Sequence, residues 1–353
     1  HANFAHHRDG ALRLLGLPEG PATERTRVQQ ALRGWSALQF EQAAADAGLV
    51  VAALRRFEEW DRHPQGRAVA GQPLLRIEPI GDAPPRRLPK LAADARPLQG
   101  LRVLDLTRIL AGPVGTRVLA AHGADVLLVN SPRLPNIEAL AETSRGKLTA
   151  HADLRNAADR HAFDAVLRDA HVFVQGYRPG GLQALGYGAA ALADARPGLV
   201  VVSLSAYGAE GPWSARRGFD SLVQTATGFN AAEAEALGSG PPRALPMQIL
   251  DHASGQLIAL GACAALARQQ QLGGSWHVQV SLAATGHWLR GLGRVANGFD
   301  TAAPDFAPYA QSRDSGFGRL EAVRHSARLS HSPTDWLRPS MPPGTHALAW
   351  PAD

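Results

Sequence analysis

Between residues 101 and 205, short apolar runs alternate with helical segments, and this alternation most constrains the fold. LRVLDL at 101–106 predicts a strand, and Gly112-Pro113 predicts the start of a helix that runs to about Ala121 and is stopped by Gly123. The pattern continues as a strand at 126–129, a helix near 157–168, and strands at 172–175 and 199–205. Strands that alternate with helices at this spacing predict an α/β fold with a doubly wound parallel sheet.

Ligands of such sheets bind outside the carboxyl ends of the strands. The residues expected at that rim are 107–111, 130–133, 176–178 and 205–208. The first turn, TRILAGPVG, lacks G-x-G-x-x-G, and the second strand ends in Asn130 where a ribose-binding acid is expected. These two departures argue against a nicotinamide dehydrogenase.

Composition describes a chain of 353 residues with 45% hydrophobic and 19% charged residues, which is typical of a soluble globular protein with more than one lobe. The net charge of +5 is spread along the chain, and no Arg/Lys run carries interleaved aromatics, so we do not expect nucleic-acid binding. No apolar run approaches the ~18 residues that a membrane span needs, and no signal peptide is visible, so we expect no membrane association.

Cys263 is the only cysteine, which predicts a reducing, cytoplasmic location without disulfides. It lies in LIALGACAALA, the pattern of a buried helix. Adjacent His6 and His7 point in different directions on regular structure, and His325, His331 and His346 lack metal-like spacing. We therefore expect no metal site.

Five segments are predicted from these patterns. They are a helical and mixed segment at 1–81, a proline-rich linker at 82–99, a sheet domain at 100–228, a segment carrying Asp251 at 229–300, and a loop-rich tail at 301–353. Within the first segment, helical periodicity predicts one helix over 25–47, and an apolar run predicts a strand at 49–54.

LPMQILDHASG at 245–255 places a single carboxylate, Asp251, after an apolar run and before another one at 257–263. One interpretation is a helix N-cap, for which aspartate is well suited. The other is a partly desolvated carboxylate that faces a cleft and acts as a nucleophile. In AYGAEGPWSARRGFD, Arg217 has two interpretations as well, a solvated surface residue or a contact to an anionic ligand.

Taken together, the motifs resemble the family III coenzyme A transferases, which include formyl-CoA and carnitine-CoA transferases and the related alpha-methylacyl-CoA racemases. The matching stretches are LRVLDLTRILAGP (101–113), HGADVLLV (122–129), RGKLTAHADL (145–154), AHVFVQGYRPGGLQALG (170–186), VSLSAYGAEGPWSARRGFDSLVQTATG (202–228), DHASGQLIALGACAALA (251–267) and GGSWHVQVSL (273–282). The resemblance implies a Rossmann-like large domain with a smaller α+β domain.

The resemblance also implies roles for individual residues. The family's nucleophilic aspartate falls on Asp251, which would form covalent intermediates with acyl-CoA. No cofactor is expected to be bound permanently, since coenzyme A or acyl-CoA is the substrate and a carboxylic acid is the second one. The CoA contacts implied are Ile109, Leu110, Ala111, Lys147, Gly176, Tyr177, Arg178 and Arg217. The family's glycine-rich oxyanion loop has only a weak counterpart in Gly316-Phe317-Gly318.

Several positions depart from the family pattern. Ser131 replaces a basic residue, Ser144 replaces an asparagine, and His171 stands where an acid is usual. The racemase histidine falls on Phe219, which cannot carry a proton, so transfer is favoured over racemisation unless His252 substitutes. These departures leave a non-catalytic CoA-binding paralogue as an alternative.

The order of the segments is also unusual. FEQAAADAGLVVAALRRFEEWDRHPQGRA at 40–68 resembles a segment that follows the sheet in the family, so the chain is interpreted as permuted or partly duplicated. The resemblance further implies a homodimer, with interlocked chains as one form of it.

Overall fold

The computed structural model describes residues 1–88 and 90–351, which divide into two compact units. The first unit comprises 1–74, 205–250 and 281–288, and the second comprises 75–204, 251–280 and 289–353. The predicted boundaries at 81, 228 and 300 differ from these units, because segments distant in sequence pair within one sheet. Pro89 of the predicted linker and residues 352–353 of the predicted tail lie outside the described residues.

A seven-stranded sheet forms the centre of the second unit, in the order β1-β7-β6-β5-β2-β3-β4. The strands are β1 (Arg76–Gly81), β2 (Arg102–Leu106), β3 (Asp125–Asn130), β4 (Lys147–His151), β5 (Val172–Gln175), β6 (Val200–Ser205) and β7 (Ser275–Ser281). Strands β4, β3, β2, β5 and β6 are parallel, whereas β1 pairs antiparallel with β7. The predicted α/β sheet is therefore confirmed, and β1 and β4 are strands that the sequence patterns did not predict.

The sheet is buried on both faces by different helices. The helices of this unit are α6 (Ala111–Ala121), the short α7 (Leu140–Thr143), α8 (Ala157–Arg168), α9 (Ala189–Ala195) and most of α12 (Ile249–Leu272). On one face, valines such as Val103 and Val174 pack with α6 and α12, and on the other, residues such as Leu104 and Phe173 pack with α8 and α9. Successive strand residues point to opposite faces, so near-continuous apolar strands are what a doubly wound sheet requires.

Helix α12 is 24 residues long and apolar enough, by length and composition, to cross a membrane. The sequence had indicated no run of that length. More than half of the apolar stretch (56%) is buried inside the protein, and Ile258, Ala262 and Ala265 are fully buried against the sheet. A core helix of this kind satisfies the same length test.

The predicted linker and tail are both anchored to the second unit. Among the described residues of 82–99 there is no helix or strand, yet the buried Arg96 donates to the carbonyl oxygen of Ala121 at 2.9 Å. The tail contains an antiparallel hairpin of β8 (Ala310–Ser315) and β9 (Gly318–Val323). Its last part covers the edge strand β4, where the backbone N–H of His346 donates to Thr149 O at 2.8 Å.

Helices dominate the first unit. They are α1 (Ala5–Leu14), α2 (Arg25–Leu32), α3 (Ala37–Asp46), α4 (Phe57–Arg62), α5 (Pro64–Ala70), α10 (Asp220–Thr227) and α11 (Phe229–Ala236), with most of α13 (Leu282–Gly291). The single helix predicted over 25–47 is wrong, because Ser36 caps a new helix by accepting from the Gln39 N–H. The strand predicted at 49–54 is also wrong. Those residues have irregular structure. The Ala53 N–H donates to the buried carboxylate of Glu41 at 2.8 Å and not to a neighbouring strand.

Candidate active site

Helices α6 and α12 cross at two glycines. A Cβ placed on Gly255 would lie 2.8 Å from Ala111 O, and one on Gly115 would lie 2.7 Å from a side-chain carbon of Ile258. Such close contacts leave no room for any side chain, so glycine at both positions allows the backbones to touch. Because 111 faces 255 and 115 faces 258, the two helices run in the same direction.

This crossing positions Asp251 at the rim of the sheet. Asp251 precedes Gly255 by one turn, or about 6 Å, so it lies beyond the first residue of α6. Since α6 follows β2, that end is the carboxyl edge of the parallel strands, where ligands of doubly wound sheets bind. Asp251 is 8% exposed.

Asp251 is not the N-cap of its helix. Helix α12 begins at Ile249, so Asp251 is its third residue and Gln248 precedes the first. The prediction of a cap is therefore wrong in position, because the apolar residues Ile249 and Leu250 are already helical. A carboxylate in the first turn is still stabilised by the helix dipole. The next residue, His252, has its pKa lowered by burial and then by Arg117.

The loop between β2 and α6 carries three predicted CoA contacts, and its backbone is strained. Ile109 has a φ of 73°, a left-handed conformation that a β-branched residue rarely adopts. Leu110 precedes the helix with φ −130° and ψ −62°, and Ala111 is its first residue. Strain of this kind persists only where the surroundings hold it, and it is concentrated at functional sites.

Lys147 is buried inside the protein, whereas its predicted contact to CoA requires an accessible side chain. Its side chain is 0% exposed, and its ammonium lies 3.1 Å from Asp105 Oδ2, 2.9 Å from Pro113 O and 2.7 Å from Thr116 Oγ1. All three ammonium protons are thus used inside the protein, which leaves none for a ligand in this conformation. Burial lowers the pKa of Lys147, and the Asp105 carboxylate opposes that effect.

The loop after β5 supplies a second part of the rim. Gly176 and Arg178 are exposed, and Tyr177 is half-buried between them. Burial raises the pKa of the Tyr177 phenol, and the charge of Arg108 in the β2–α6 loop opposes that effect. The structure therefore brings the predicted residues 109–111 and 176–178 to the same rim as Asp251, on neighbouring strands β2 and β5.

Arg217 belongs to the first unit, as does Phe219 at the position of the racemase histidine. Phe219 stacks on His1 with ring centroids 4.0 Å apart, and His7 lies edge-on to it at 6.2 Å. The pKa of His7 is lowered to about 4, first by burial and then by the charges of His6 and Arg217. Arg217 thus lies within electrostatic range of His7, in a cluster that also contains the ring of Phe219.

Gly316-Phe317-Gly318, the weak candidate for an oxyanion loop, forms the turn of the β8–β9 hairpin. Gly316 packs against Met341 and Pro342, and its N–H donates to Ser340 O at 2.8 Å. These contacts are to the tail. Within the described residues, no group of three or more His, Cys, Asp or Glu side chains is arranged to hold a metal ion.

Comparison with known proteins identifies the family. The model of CoA-transferase family III matches residues 98–301, which is more than half of the chain. The chain belongs to CoA-transferase family III. The match spans strands β2 to β7, the rim loops and Asp251, whereas the first 97 residues, which include β1, lie outside it.

The chain is similar to curated members of this family. An acyl-CoA transferase of Gibberella moniliformis is 32% identical over 270 residues, which are 73% of this chain and 47% of that protein. A probable fatty acyl-CoA transferase of Mycobacterium tuberculosis is 32% identical, over 62% of this chain and 60% of that protein. A crystal structure of a protein from that organism superposes with a TM-score of 0.48 at 31% identity, over 56% of this chain and 59% of that chain. An acetyl-CoA:oxalate CoA-transferase of Acetobacter aceti is 29% identical over 53% of this chain and 51% of that protein.

The chain spans about half to three fifths of the length of these curated relatives. The family match therefore includes strands β2 to β7 and their rim, and a further part of these relatives has no counterpart in the aligned regions.

Sequence reasoning missed the residues that hold the rim in place. Asp105, Thr107 and Thr116 form the buried network around Lys147, and Gly115 and Gly255 form the helix crossing. A charged residue stands in each of two buried strands, Asp105 in β2 and Lys147 in β4, and buried charges are usually paired, but the sequence does not show that these two residues are partners.

Proposed function

We propose that this chain moves coenzyme A between an acyl-CoA and a carboxylic acid through covalent intermediates on Asp251. The observation that carries the proposal is the position of Asp251, which lies in the first turn of α12 beside the start of α6, at the rim that also carries Ile109–Ala111 and Gly176–Arg178. Membership of the family supports the reaction class. A carboxylate is ionised at neutral pH and needs no base to act as a nucleophile.

The proposed exchange balances without an external proton. The Asp251 carboxylate attacks the thioester carbonyl, the C–S bond breaks, and CoA leaves as a thiolate, which gives a mixed anhydride. The thiolate then attacks the aspartyl carbonyl, which releases the donor acid and forms an aspartyl-CoA thioester. The acceptor carboxylate attacks that thioester and displaces the thiolate. The thiolate finally takes the new acyl group and regenerates Asp251. Covalent catalysis thus divides one difficult exchange into easier steps.

The rim residues have proposed roles in binding. The N–H groups at the start of α6 and the backbone of Ile109 and Leu110 suit the phosphates of CoA, because helix N-termini attract anions. The half-buried ring of Tyr177 suits stacking on adenine, and the exposed guanidinium of Arg178 suits a phosphate. The family resemblance alone supports Arg217 as a further phosphate contact.

The acids that exchange are proposed only as a class. Names of the relatives include fatty acyl-CoA and oxalate transferases, so the donor panel should combine acetyl-CoA with longer acyl-CoAs, and the acceptor panel should include oxalate and monocarboxylates. A homodimer, with interlocked chains as one form, is proposed for the whole protein, and light scattering tests its mass. A cytoplasmic location is also proposed.

The decisive experiment traps the intermediate. The protein is incubated with each acyl-CoA and quenched with hydroxylamine, which converts an anhydride or thioester into a stable hydroxamate that mass spectrometry locates on the peptide. We expect the label on Asp251 and none in Asp251→Asn, which should lose at least about a thousandfold in exchange rate because the nucleophile is removed.

Asp159→Asn is the matched control. Asp159 is also the third residue of its helix, α8, and its carboxylate accepts from the Asp153 N–H at 2.8 Å, so this variant should exchange CoA at the wild-type rate. CoA binding without any label across the panel would instead favour a non-catalytic CoA-binding protein. Solvent deuterium at the α-carbon of a 2-methylacyl-CoA would favour racemisation.

A further inference from the structure

The buried pair Asp105–Lys147 connects three parts of the second unit around the rim loop. Both side chains are fully buried. Asp105 lies in β2 and Lys147 in β4, so the lysine side chain crosses the intervening strand β3, a span of about two strand spacings, or roughly 10 Å. An ion pair in such a place is costly to desolvate, so its presence is weak evidence of a net gain in stability.

Every polar atom of the pair is bonded to a group that flanks the β2–α6 loop. Asp105 Oδ1 accepts from the backbone N–H of Thr107 at 2.9 Å and from its hydroxyl, and Oδ2 accepts from Thr116. Lys147 donates to Pro113 O and to Thr116 Oγ1. The loop residues 108–110 are thus clamped on their N-terminal side at Thr107 and on their C-terminal side at Pro113 and Thr116.

Two further contacts tighten the same loop. The buried Asn130 donates from Nδ2 to Thr107 O at 3.3 Å. A Cβ on Gly112 would lie 2.3 Å from Thr107 Cβ, so glycine lets the loop fold back on the helix that it starts. Between these fixed points lies Ile109, whose φ of 73° is unfavourable for its residue type. Hydrogen bonds of the network thus lie on both sides of this strained residue.

We propose that the Asp105–Lys147 pair is a positioning device for the β2–α6 loop, which sets the affinity of the loop for coenzyme A without touching the ligand. The proposal rests on the proposed function for the identity of the ligand. Without the pair, Ile109 relaxes towards an ordinary conformation, and the N–H groups at the start of α6 lose their alignment. A ligand must then restore the alignment when it binds, which weakens affinity.

Two variants separate positioning from stability. Lys147→Met removes the ammonium and leaves a buried carboxylate, so it lowers both stability and affinity. The double variant Asp105→Leu/Lys147→Met replaces the pair by apolar side chains, which commonly recovers stability but cannot make the bonds to Thr107, Pro113 and Thr116. We expect the double variant to bind CoA about tenfold more weakly than wild type in calorimetry, with KM raised by a similar factor and kcat changed less than threefold.

Phe163→Leu is the matched control for stability. Phe163 is fully buried in α8 and packs on Phe173 and Tyr187, so this variant lowers Tm without touching the loop, and its Kd for CoA should equal that of wild type. A double variant with wild-type Kd and KM would overturn the proposal, as would an equal loss of affinity in Phe163→Leu.

Hydrogen exchange of the ligand-free protein tests the device independently of the ligand. The amides of residues 107–112 and 114 should exchange hydrogen at least tenfold faster in the double variant than in wild type and Phe163→Leu. Unchanged protection of this peptide would overturn the proposal. Wild type that does not bind CoA would show that the proposed ligand is wrong. If hydrogen exchange at this loop still differs as expected between wild type and the double variant, the positioning role of the pair stands.

Discussion

Gly255 of α12 faces the carbonyl oxygen of Ala111 at the start of α6, at a separation where a Cβ would lie 2.8 Å from that oxygen and 2.6 Å from Val114 Cγ1. This contact joins the helix that carries Asp251 to the loop that carries the strained Ile109. The relative position of the proposed nucleophile and the proposed CoA-binding loop therefore depends on the absence of one side chain.

Gly255→Ala should separate the two helices. Overpacking a close crossing costs about 1–3 kcal/mol, and the shift of Asp251 should lower kcat/KM for CoA exchange by about tenfold or more. Urea denaturation and exchange kinetics measure the two effects. Gly291→Ala, at the end of α13 with nothing within 4 Å of its Cβ, should be neutral or slightly stabilising. Wild-type kinetics in Gly255→Ala would show that the crossing does not set the position of Asp251.

Ile109→Gly should separate stability from function. Glycine adopts a φ of 73° without strain, and relief of that strain is worth about 1–3 kcal/mol, so thermal stability should be unchanged or higher despite the lost side chain. CoA should bind several-fold more weakly, because the loop is less ordered before binding. Ile109→Val keeps both the strain and the affinity. Tighter binding by the glycine variant would contradict this account.

Arg178→Ala tests the second rim loop. If this exposed guanidinium binds a CoA phosphate, its loss should raise KM for acyl-CoA about tenfold, the usual effect of one charge-assisted hydrogen bond, and leave kcat unchanged. The dependence of KM on salt should also become weaker. Arg168→Ala is the control. Arg168 is also exposed, but it is the last residue of α8 and lies near the amino ends of the parallel strands, away from the rim. Equal effects of the two substitutions would point to general electrostatic attraction.

His171 makes the second unit sensitive to acid. Its Nδ1 accepts from the Arg102 N–H at 3.1 Å, and burial, followed by Arg86, Arg196 and Arg102, lowers its pKa to about 4. Because the folded pKa lies below the unfolded value near 6.5, the unfolded chain binds more protons between pH 6.5 and 4. Stability from this group is complete above about pH 6.5 and is lost as the pH falls through that window, by at most about 3 kcal/mol.

His171→Asn keeps an acceptor for Arg102 and removes the titration. The loss of unfolding free energy between pH 7.5 and 4.5 should be smaller in this variant than in wild type by about 1–3 kcal/mol. His7 and His325 also have pKa values lowered to about 4, and they titrate in both wild type and His171→Asn. The contribution of His171 is therefore the difference in pH dependence between these two proteins. Parallel pH profiles would show that His171 does not contribute.

The sequence patterns predicted the parts of the sheet that depend on local signals. The helix at 157–168 and the strand at 172–175 were located to the residue, since Asn156 is a good cap and VFV is a buried strand. Strand β4 was not predicted because KLTAH has no clean periodicity. Strand β1 was not predicted because it contains Pro79, and proline argues against a strand unless the strand lies at an edge of the sheet. The permuted or duplicated order, the homodimer and the cytoplasmic location stay predictions.

The sequence by itself determined the fold class, the family and the identity of the proposed nucleophile, because apolar periodicity, caps and ordered motifs are local properties of the chain. Only the tertiary structure decided that Lys147 faces Asp105 inside the protein, that Ile109 is strained, and that Asp251 lies in the first turn of α12 beside α6. These features depend on contacts between residues up to about 140 positions apart, such as Ala111 and Gly255. No local pattern encodes the direction in which a lysine points once strands and helices have packed.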